Sequence, residues 1–338
     1  MDSGVNDELA RRMGRQGRRV RLPAALIGGV CVIASLPATA NTFPAKPLRV
    51  IVPFAPGGNT SFVMRAVAQT YEQHLGQSIV IDHRSGAQGV VGLQIGAQAS
   101  PDGYTLTLTD SASVIVPAMM DKPPFDVLRD FAPVGQLIEQ PYYFTVTPAV
   151  PATTLAEFIA HARANPNRLN YGSGGVIGQI IQDYFFGMAK VQLTHVAYRG
   201  TAPLMGGLLG NEVQVTLSGP GATIPQVQAG KLRALAVTSL KRSRDLPDVP
   251  TLDEQGFRGF DVRGWYGLLA PAGTPSVIVQ RLNADLNRSL SAGPSAQLLR
   301  DRGFDPAPVS PEAFGKLLRS DLVRWSEVIR RNNLRTTP

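Results

Sequence analysis

Four loops rich in glycine and hydroxyl residues carry the chemistry that this sequence offers. They are Pro56–Ser61, Ser85–Gly89, Thr109–Ser113 and Gly172–Val176, and each follows a predicted strand. Each loop leads into, or lies close to, the predicted start of a helix, where free N–H groups and the helix dipole favour a negative group. Glycine lets the backbone approach a ligand, and serine and threonine add neutral donors. Together the loops predict a cradle for a carboxylate or phosphate.

The same loops do not fit catalytic motifs. Pro56–Ser61 lacks the Gly-Lys-Ser/Thr ending of a phosphate-binding P-loop. No glycine stands two residues before Ser173, as a nucleophile elbow would require. We therefore predict a binding protein with no metal and no cofactor, rather than an enzyme. The histidines also lack the spacing of zinc ligands; they are His74, His83, His161 and His195.

Strands and helices must hold these loops in place, and the hydrophobic pattern predicts where they lie. Leu48–Phe54 is a continuous apolar run, typical of a strand buried on both faces of a parallel sheet. Apolar residues then recur on one helical face over Phe62–Leu75, and Thr60 or Ser61 is predicted to cap this helix. Strands and helices continue to alternate up to Leu108. This alternation predicts an α/β fold with parallel strands.

The alternation pauses once and then restarts, which predicts two lobes. Two extended segments without a helix between them fill Phe131–Pro151, and a second α/β series begins at a helix capped by Thr154. Another extended segment, Gly264–Leu269, precedes the last helices. We therefore predict two lobes, each a mostly parallel sheet flanked by helices and joined by crossover strands. The predicted bounds are residues 41–142 and 264–338 for the first lobe, 143–263 for the second, and 139–147 and 258–268 for the hinge.

The first forty residues have the features of a cleaved export signal. A basic run ending at Arg21 precedes an apolar stretch, Leu22–Leu36, and Ala38 and Ala40 stand at the spacing of a signal-peptidase site. The stretch is shorter than the roughly 20 residues that span a bilayer, which favours a cleaved signal, of the Sec or twin-arginine type, over an anchor. Cleavage near Ala40 removes the only cysteine, six arginines and three acids, so the formal charge falls from +8 to +5. The remaining charge is too diffuse for nucleic-acid binding, and we predict a periplasmic protein.

Several stretches show resemblance to one protein family. The chain resembles the extracytoplasmic solute receptors of tripartite tricarboxylate transporters, known as the Bug family, over residues 43–331. The matching stretches are Phe43–Gly58, Leu75–Gly89, Ser100–Leu106, Asp130–Ile138, His195–Val215, Ala229–Phe257 and Gly264–Pro275.

The resemblance implies a two-lobed periplasmic-binding-protein fold, a Venus flytrap, that closes on a small organic carboxylate. It also implies delivery to the large and small membrane subunits of a tripartite transporter. We expect the receptor to be a monomer. An alternative with the same fold is a receptor that docks on a membrane sensor kinase and reports its ligand. The residues that the resemblance places along the cleft are Phe54, Pro56, Gly57, Gly58, Asn59, Thr60, Ser61, Ser85, Gly86, Ala87, Gln88, Thr109, Asp110, Ser111, Ser173, Gly174, Gly175, Val176, Tyr198, Arg199 and Gly200.

The chain departs from the family pattern at acidic positions. The family's first loop reads Gly-Gly-x-Thr-Asp, but here Ser61 stands where that acid is expected, and Leu217–Pro220 also lacks one. Asp110 instead adds a carboxylate to the third loop. A ligand carboxylate beside Asp110 would be repelled unless Arg84 or Arg199 pairs with it or the ligand carries a positive group. We therefore expect a ligand that differs from a simple dicarboxylate in size or charge.

Overall fold

The computed structural model describes residues 43–120, 122–198 and 200–331, and the predicted export signal lies outside them. The first series of elements is β1 (Leu48–Val52), α1 (Asn59–Leu75), β2 (Ile79–His83), α2 (Val90–Ala97), β3 (Thr105–Asp110), α3 (Ser111–Ile115) and β4 (Phe131–Pro141). The second is β5 (Tyr143–Val146), α4 (Leu155–Ala164), β6 (Asn170–Ser173), α5 (Val176–Ala189), β7 (Thr194–Ala197), α6 (Thr201–Leu209), β8 (Val215–Ser218), α7 (Pro220–Gln228) and β9 (Arg233–Val237). The chain ends with β10 (Arg263–Pro271), α8 (Ser276–Ser291), α9 (Pro294–Arg300), β11 (Asp305–Pro306) and α10 (Pro311–Arg331). Within the described ranges, no helix has the length and apolar character that a membrane crossing needs.

The strands form two separate sheets, which confirms the predicted α/β class. The first sheet has the order β11-β4-β10-β3-β1-β2, and the second has the order β7-β6-β8-β5-β9. Strands β1, β2 and β3 pair in parallel, as do β6, β7 and β8. However, β10 pairs antiparallel with β3 and β4, and β5 pairs antiparallel with β8 and β9. The sheets are therefore mixed, not mostly parallel as predicted, because a strand that arrives from the other sheet runs against its neighbours.

Two crossings join the sheets, and one buried threonine ties them together. Strand β4 passes through Tyr142 directly into β5, and residues 238–262 return the chain from β9 to β10. Thr238 is fully buried at this junction. Its Oγ1 accepts a hydrogen bond from the Tyr142 N–H at 2.9 Å and donates to the Val262 carbonyl at 2.5 Å. The junction therefore links both crossings through one side chain.

The C-terminal helix α10 contacts the cores of both sheets. Near its start, Phe314 packs edge-on against Trp265 of β10, with ring centroids 5.4 Å apart. Near its end, Trp325 belongs to the hydrophobic cluster of the second sheet and meets the ring of Tyr184. The buried Trp265 indole also donates to Asp321 Oδ2 at 2.6 Å. Trp325 is buried and is therefore a core residue of this helix.

Candidate ligand-binding site

A cavity of about 180 Å³ lies between the two sheets, and we call it the central cavity. Its walls come from helix starts on both sides and from both crossing strands, β4 and β10. Ligands of open α/β sheets bind in such crevices, outside the carboxyl ends of the strands. The lining residues are Asn59, Asp110, Ser111, Ala112, Gln140, Tyr142, Gly174, Gly175, Ile177, Gly178, Thr201, Leu204, Leu217, Ser218, Gly219, Gly221, Ala222, Gly264, Trp265 and Tyr266.

A second cavity of about 420 Å³, here called the side cavity, adjoins the first. The two cavities share Gly174 and Gly175. No atom lies within 4 Å of a Cβ built at Gly175, so this residue faces open space. The side cavity is lined by Gln88, Ser173, Gly174, Gly175, Val176, Gln179, His195, Ala197, Tyr198 and Gly200.

The structure brings about half of the sequence-predicted residues to these two cavities. Those that line the central cavity are Asn59, Asp110, Ser111, Gly174 and Gly175. Those that line only the side cavity are Gln88, Ser173, Val176, Tyr198 and Gly200. Those that line neither are Phe54, Pro56, Gly57, Gly58, Thr60, Ser61, Ser85, Gly86, Ala87 and Thr109. Arg199 lies outside the described residues, so its predicted role stays a prediction.

The predicted cap of α1 is wrong, and its correction changes the role of the first loop. The N-cap is Gly58, with no side-chain cap, while Thr60 and Ser61 lie inside the helix and are buried. Ser61 Oγ lies 3.4 Å from His83 Nε2, so its hydroxyl is directed at the neighbouring strand. The first turn of α1 therefore keeps its N–H groups uncapped by side chains.

Three helices of the second sheet also begin at the cavities with glycine caps. The N-caps of α5, α6 and α7 are Gly175, Gly200 and Gly219, and none has a side-chain hydrogen bond to the helix start. By contrast, α4 begins away from both cavities and has a capping box of Thr154 and Glu157, as its sequence predicts. The first N–H groups of a helix have no partner within it, so uncapped starts leave donors for a bound anion.

Asp110 acts as an N-cap, which the sequence reading did not foresee. Its Oδ1 accepts from the Ser113 N–H at 2.7 Å, and the Asp110 N–H donates to Ser113 Oγ at 3.2 Å, which makes the capping box of α3. Oδ1 also accepts from the Ser113 hydroxyl at 2.5 Å. Burial raises the pKa of the Asp110 carboxyl above its ordinary value, although the bonds from Ser113 oppose the shift. It is the one charged side chain among the described residues of the central cavity. Arg84, which we considered as its partner, instead pairs with Asp82 at 3.0 Å.

Sequence reasoning missed the polar side chains that the crossing strands place in the central cavity. Gln140 of β4, Tyr142 between the sheets and Tyr266 of β10 all line it. The Tyr142 hydroxyl lies close to the Ser111 side chain. Gly264 makes room for this group, because a Cβ there would lie 2.5 Å from the Tyr142 hydroxyl and 3.4 Å from Gln140 Cγ.

His195 was also missed, and it belongs to a polar group in the side cavity. Its Nε2 lies 2.8 Å from Ser173 Oγ, and its ring stacks at 4.9 Å from the ring of Tyr171. The Tyr171 hydroxyl donates to Asp183. Burial lowers the pKa of His195, and the nearby Asp183 carboxylate only partly opposes that shift. The neutral imidazole is therefore favoured, and it presents a polar wall without a cation.

Two mixed α/β sheets, joined by crossing strands around a cleft lined by helix starts, define the periplasmic-binding-protein class. Solved periplasmic binding proteins share this arrangement over the described chain, which confirms the predicted two-lobed fold. A family profile described as "Tripartite tricarboxylate transporter family receptor" matches residues 63–334. The chain belongs to this family of solute-binding receptors.

Individual relatives agree with the family assignment. Protein BugT of Bordetella pertussis (strain Tohama I) is 31% identical over 312 residues, which cover 90% of this chain and 96% of BugT. An R. palustris protein solved with adipate is 32% identical with a TM-score of 0.75, and the match covers 85% of this chain and 97% of that one. MatC from Rhodopseudomonas palustris, solved with bound malate, is 31% identical with a TM-score of 0.73, covering 85% of this chain and all 100% of MatC.

Proposed function

We propose that this receptor binds a small organic carboxylate in the central cavity and presents it to the membrane subunits of a tripartite tricarboxylate transporter. It would do so in the periplasm, after residues 1–40 have been removed. The observation that carries the proposal is the set of helices that begin at the cavities with glycine caps and no side-chain caps. Relatives of about 30% identity that were solved with adipate and malate support the same ligand class.

Neutral donors account for anion binding in this cavity. Each helix start contributes about 0.3–1 kcal/mol toward a nearby negative charge, and more where the site is partly buried. The N–H groups of several helix starts share the ligand charge, so binding does not depend on a cation in the wall. Ser111 and Thr201 add hydroxyl donors from opposite sides of the cleft. A carboxylate held from both sides would stabilise the closed arrangement of the two lobes.

The proposed closure uses the crossing strands as its hinge. We take residues 41–142 and 264–338 as one lobe and residues 143–263 as the other, so the hinge includes Tyr142, Thr238 and Val262. Their mutual hydrogen bonds keep both crossings together while the lobes move. The cavity lies beside this junction, since Tyr142 lines it. Closure would therefore enclose the ligand without unfolding either sheet.

Calorimetry and transport assays on the exported protein test the proposal. Titration with a panel of aliphatic carboxylates should reveal at least one ligand, recovered unchanged after long incubation. In the native host, deletion of the gene should abolish uptake of that ligand and leave the transporter genes inducible. Loss of induction with uptake intact would instead show docking on a membrane sensor. A panel without any bound carboxylate, or conversion of the ligand, would contradict the proposal.

A further inference from the structure

The two carboxylate oxygens of Asp110 differ in their contacts: Oδ1 caps helix α3, and Oδ2 does not. Both contacts from Ser113 are made to Oδ1, and this pairing holds the start of α3. In the part of the chain that the structure describes, Oδ2 accepts no hydrogen bond from the side chain or backbone of another residue. Asp110 also lines the central cavity. An ionised carboxylate accepts hydrogen bonds and donates none, so this oxygen offers an acceptor to a donor group of a ligand.

Two more polar side chains, Tyr266 and Gln140, lie on the same sheet face as Asp110. Tyr266 is paired with Asp110 across β10 and β3, and Gln140 is paired with Gly264 across β4 and β10. Their register places Asp110, Tyr266 and Gln140 along one face of three neighbouring strands. The Tyr266 and Gln140 residues are 9% and 7% exposed, and their phenol and amide make no hydrogen bond to another described residue. Both side chains line the central cavity, so their polar atoms are available to a ligand there.

The wall and the helix starts favour different groups on the ligand. The uncapped helix starts offer donors, which suit a carboxylate. The wall offers one acceptor-only oxygen together with an amide and a phenol that can each donate or accept. A second ligand carboxylate against Asp110 would be repelled, whereas an N–H or O–H group would be attracted. Burial already raises the pKa of Asp110, and a donor from the ligand would stabilise its ionised form.

We propose that the ligand is an organic acid that also carries a hydrogen-bond donor, an amino or hydroxyl group, and that Asp110 Oδ2 accepts from this donor. Gln140 and Tyr266 complete the contacts of the same group. The inference rests on the carboxylate-binding function proposed above and narrows its ligand class. The central cavity, with a volume of about 180 Å³, suits a small ligand. Since a cavity of about 150 Å³ takes up benzene, acids of up to about six carbons are the matching set.

Calorimetry with matched acids tests the inference. Each unsubstituted mono- or dicarboxylic acid of up to about six carbons is compared with its hydroxy and amino derivatives at each available carbon. At least one derivative should bind about tenfold or more tightly than its parent acid, as expected for a hydrogen bond to a charged group. Parent acids that bind as tightly as all their derivatives would overturn this inference and leave the proposed function standing. If no acid of any set bound, the proposed function itself would fail.

The variant Asp110→Asn separates the free oxygen from the cap. Asparagine caps helices as well as aspartate does, so α3 keeps its start and the unliganded protein should melt as the parent does. The preferred derivative should lose about tenfold in affinity, while its unsubstituted parent acid should gain. Asp248→Asn removes the same charge from an exposed site and should change neither affinity. If Asp110→Asn weakened substituted and unsubstituted acids equally, Asp110 would act only through α3 and the inference would be wrong.

Discussion

Replacing Gly175 with valine should block ligand binding while the protein stays folded. The backbone φ of Gly175 is 165°, an extended value that valine also adopts, and no atom lies within 4 Å of a built Cβ. The new side chain would therefore project into the space that the two cavities share. Placing extra carbons in space that is already filled, here by the ligand, costs about 1–3 kcal/mol, and this cost would reduce the binding free energy. The variant should bind its carboxylate about 5- to 150-fold more weakly than the parent.

The matched control for this change lies in the same helix. Gly187 of α5 is exposed, lines neither cavity and also has no atom within 4 Å of a built Cβ. Gly187→Val should leave the ligand affinity unchanged. The free energy of unfolding of both variants should lie within about 0.5 kcal/mol of the parent value, or slightly above it. Calorimetry gives the affinities and urea denaturation gives the stabilities. If Gly175→Val bound as tightly as the parent while folded, the assignment of this helix start to the ligand site would be wrong.

Three further predictions concern the junction, an outer helix and a buried acid. Thr238→Val leaves the Tyr142 N–H and the Val262 carbonyl without their side-chain partner, so urea denaturation should show a loss of about 2–4 kcal/mol; an unchanged midpoint would refute the proposed role of the junction. Thr154→Ala removes the cap of α4, which should cost about 1 kcal/mol of stability without changing ligand affinity by calorimetry. Burial raises the pKa of Asp321 in the folded protein above its ordinary value of 3.8. The stability contributed by the protonated carboxyl is therefore complete below pH 3.8 and is lost as the pH rises through the folded-state pKa. Asp321→Asn keeps an acceptor but cannot ionise, so its stability relative to the parent should increase from pH 3.8 upward; a difference independent of pH would contradict this sign.

The elements that local patterns specify were predictable. The strand Leu48–Val52 has an apolar run, and the helix Leu155–Ala164 has both the Thr154 cap and the Glu157 that completes its box. Gly76, directly after the predicted helix end at Leu75, closes α1 with a left-handed φ of 70°, which glycine adopts without strain. These signals lie within a few residues of one another. The strand, the helix cap and the helix end that they specify therefore do not depend on contacts with distant parts of the chain.

The polar wall of the cavity could not be predicted, because it depends on pairing between distant segments. Gln140 and Tyr266 reach the cleft through the register of β4, β10 and β3, which joins residues more than a hundred positions apart. A shift of one residue would move each of these side chains to the other face. The cap formed by Asp110, in contrast, had a local signal in Ser113, three residues later. From the sequence, Asp110 was predicted only to add a charge to the third loop.

Hydrogen exchange at the helix starts is the most direct test of how this receptor holds its ligand. Amide exchange is measured for the first turns of α1, α5 and α6, with and without a saturating carboxylate. Exchange at these N–H groups should slow markedly on binding, while the first turn of α4, which Thr154 caps away from the cavities, should not change. Tight binding with no added protection at Asn59, Val176 or Thr201 would show that the carboxylate is held elsewhere.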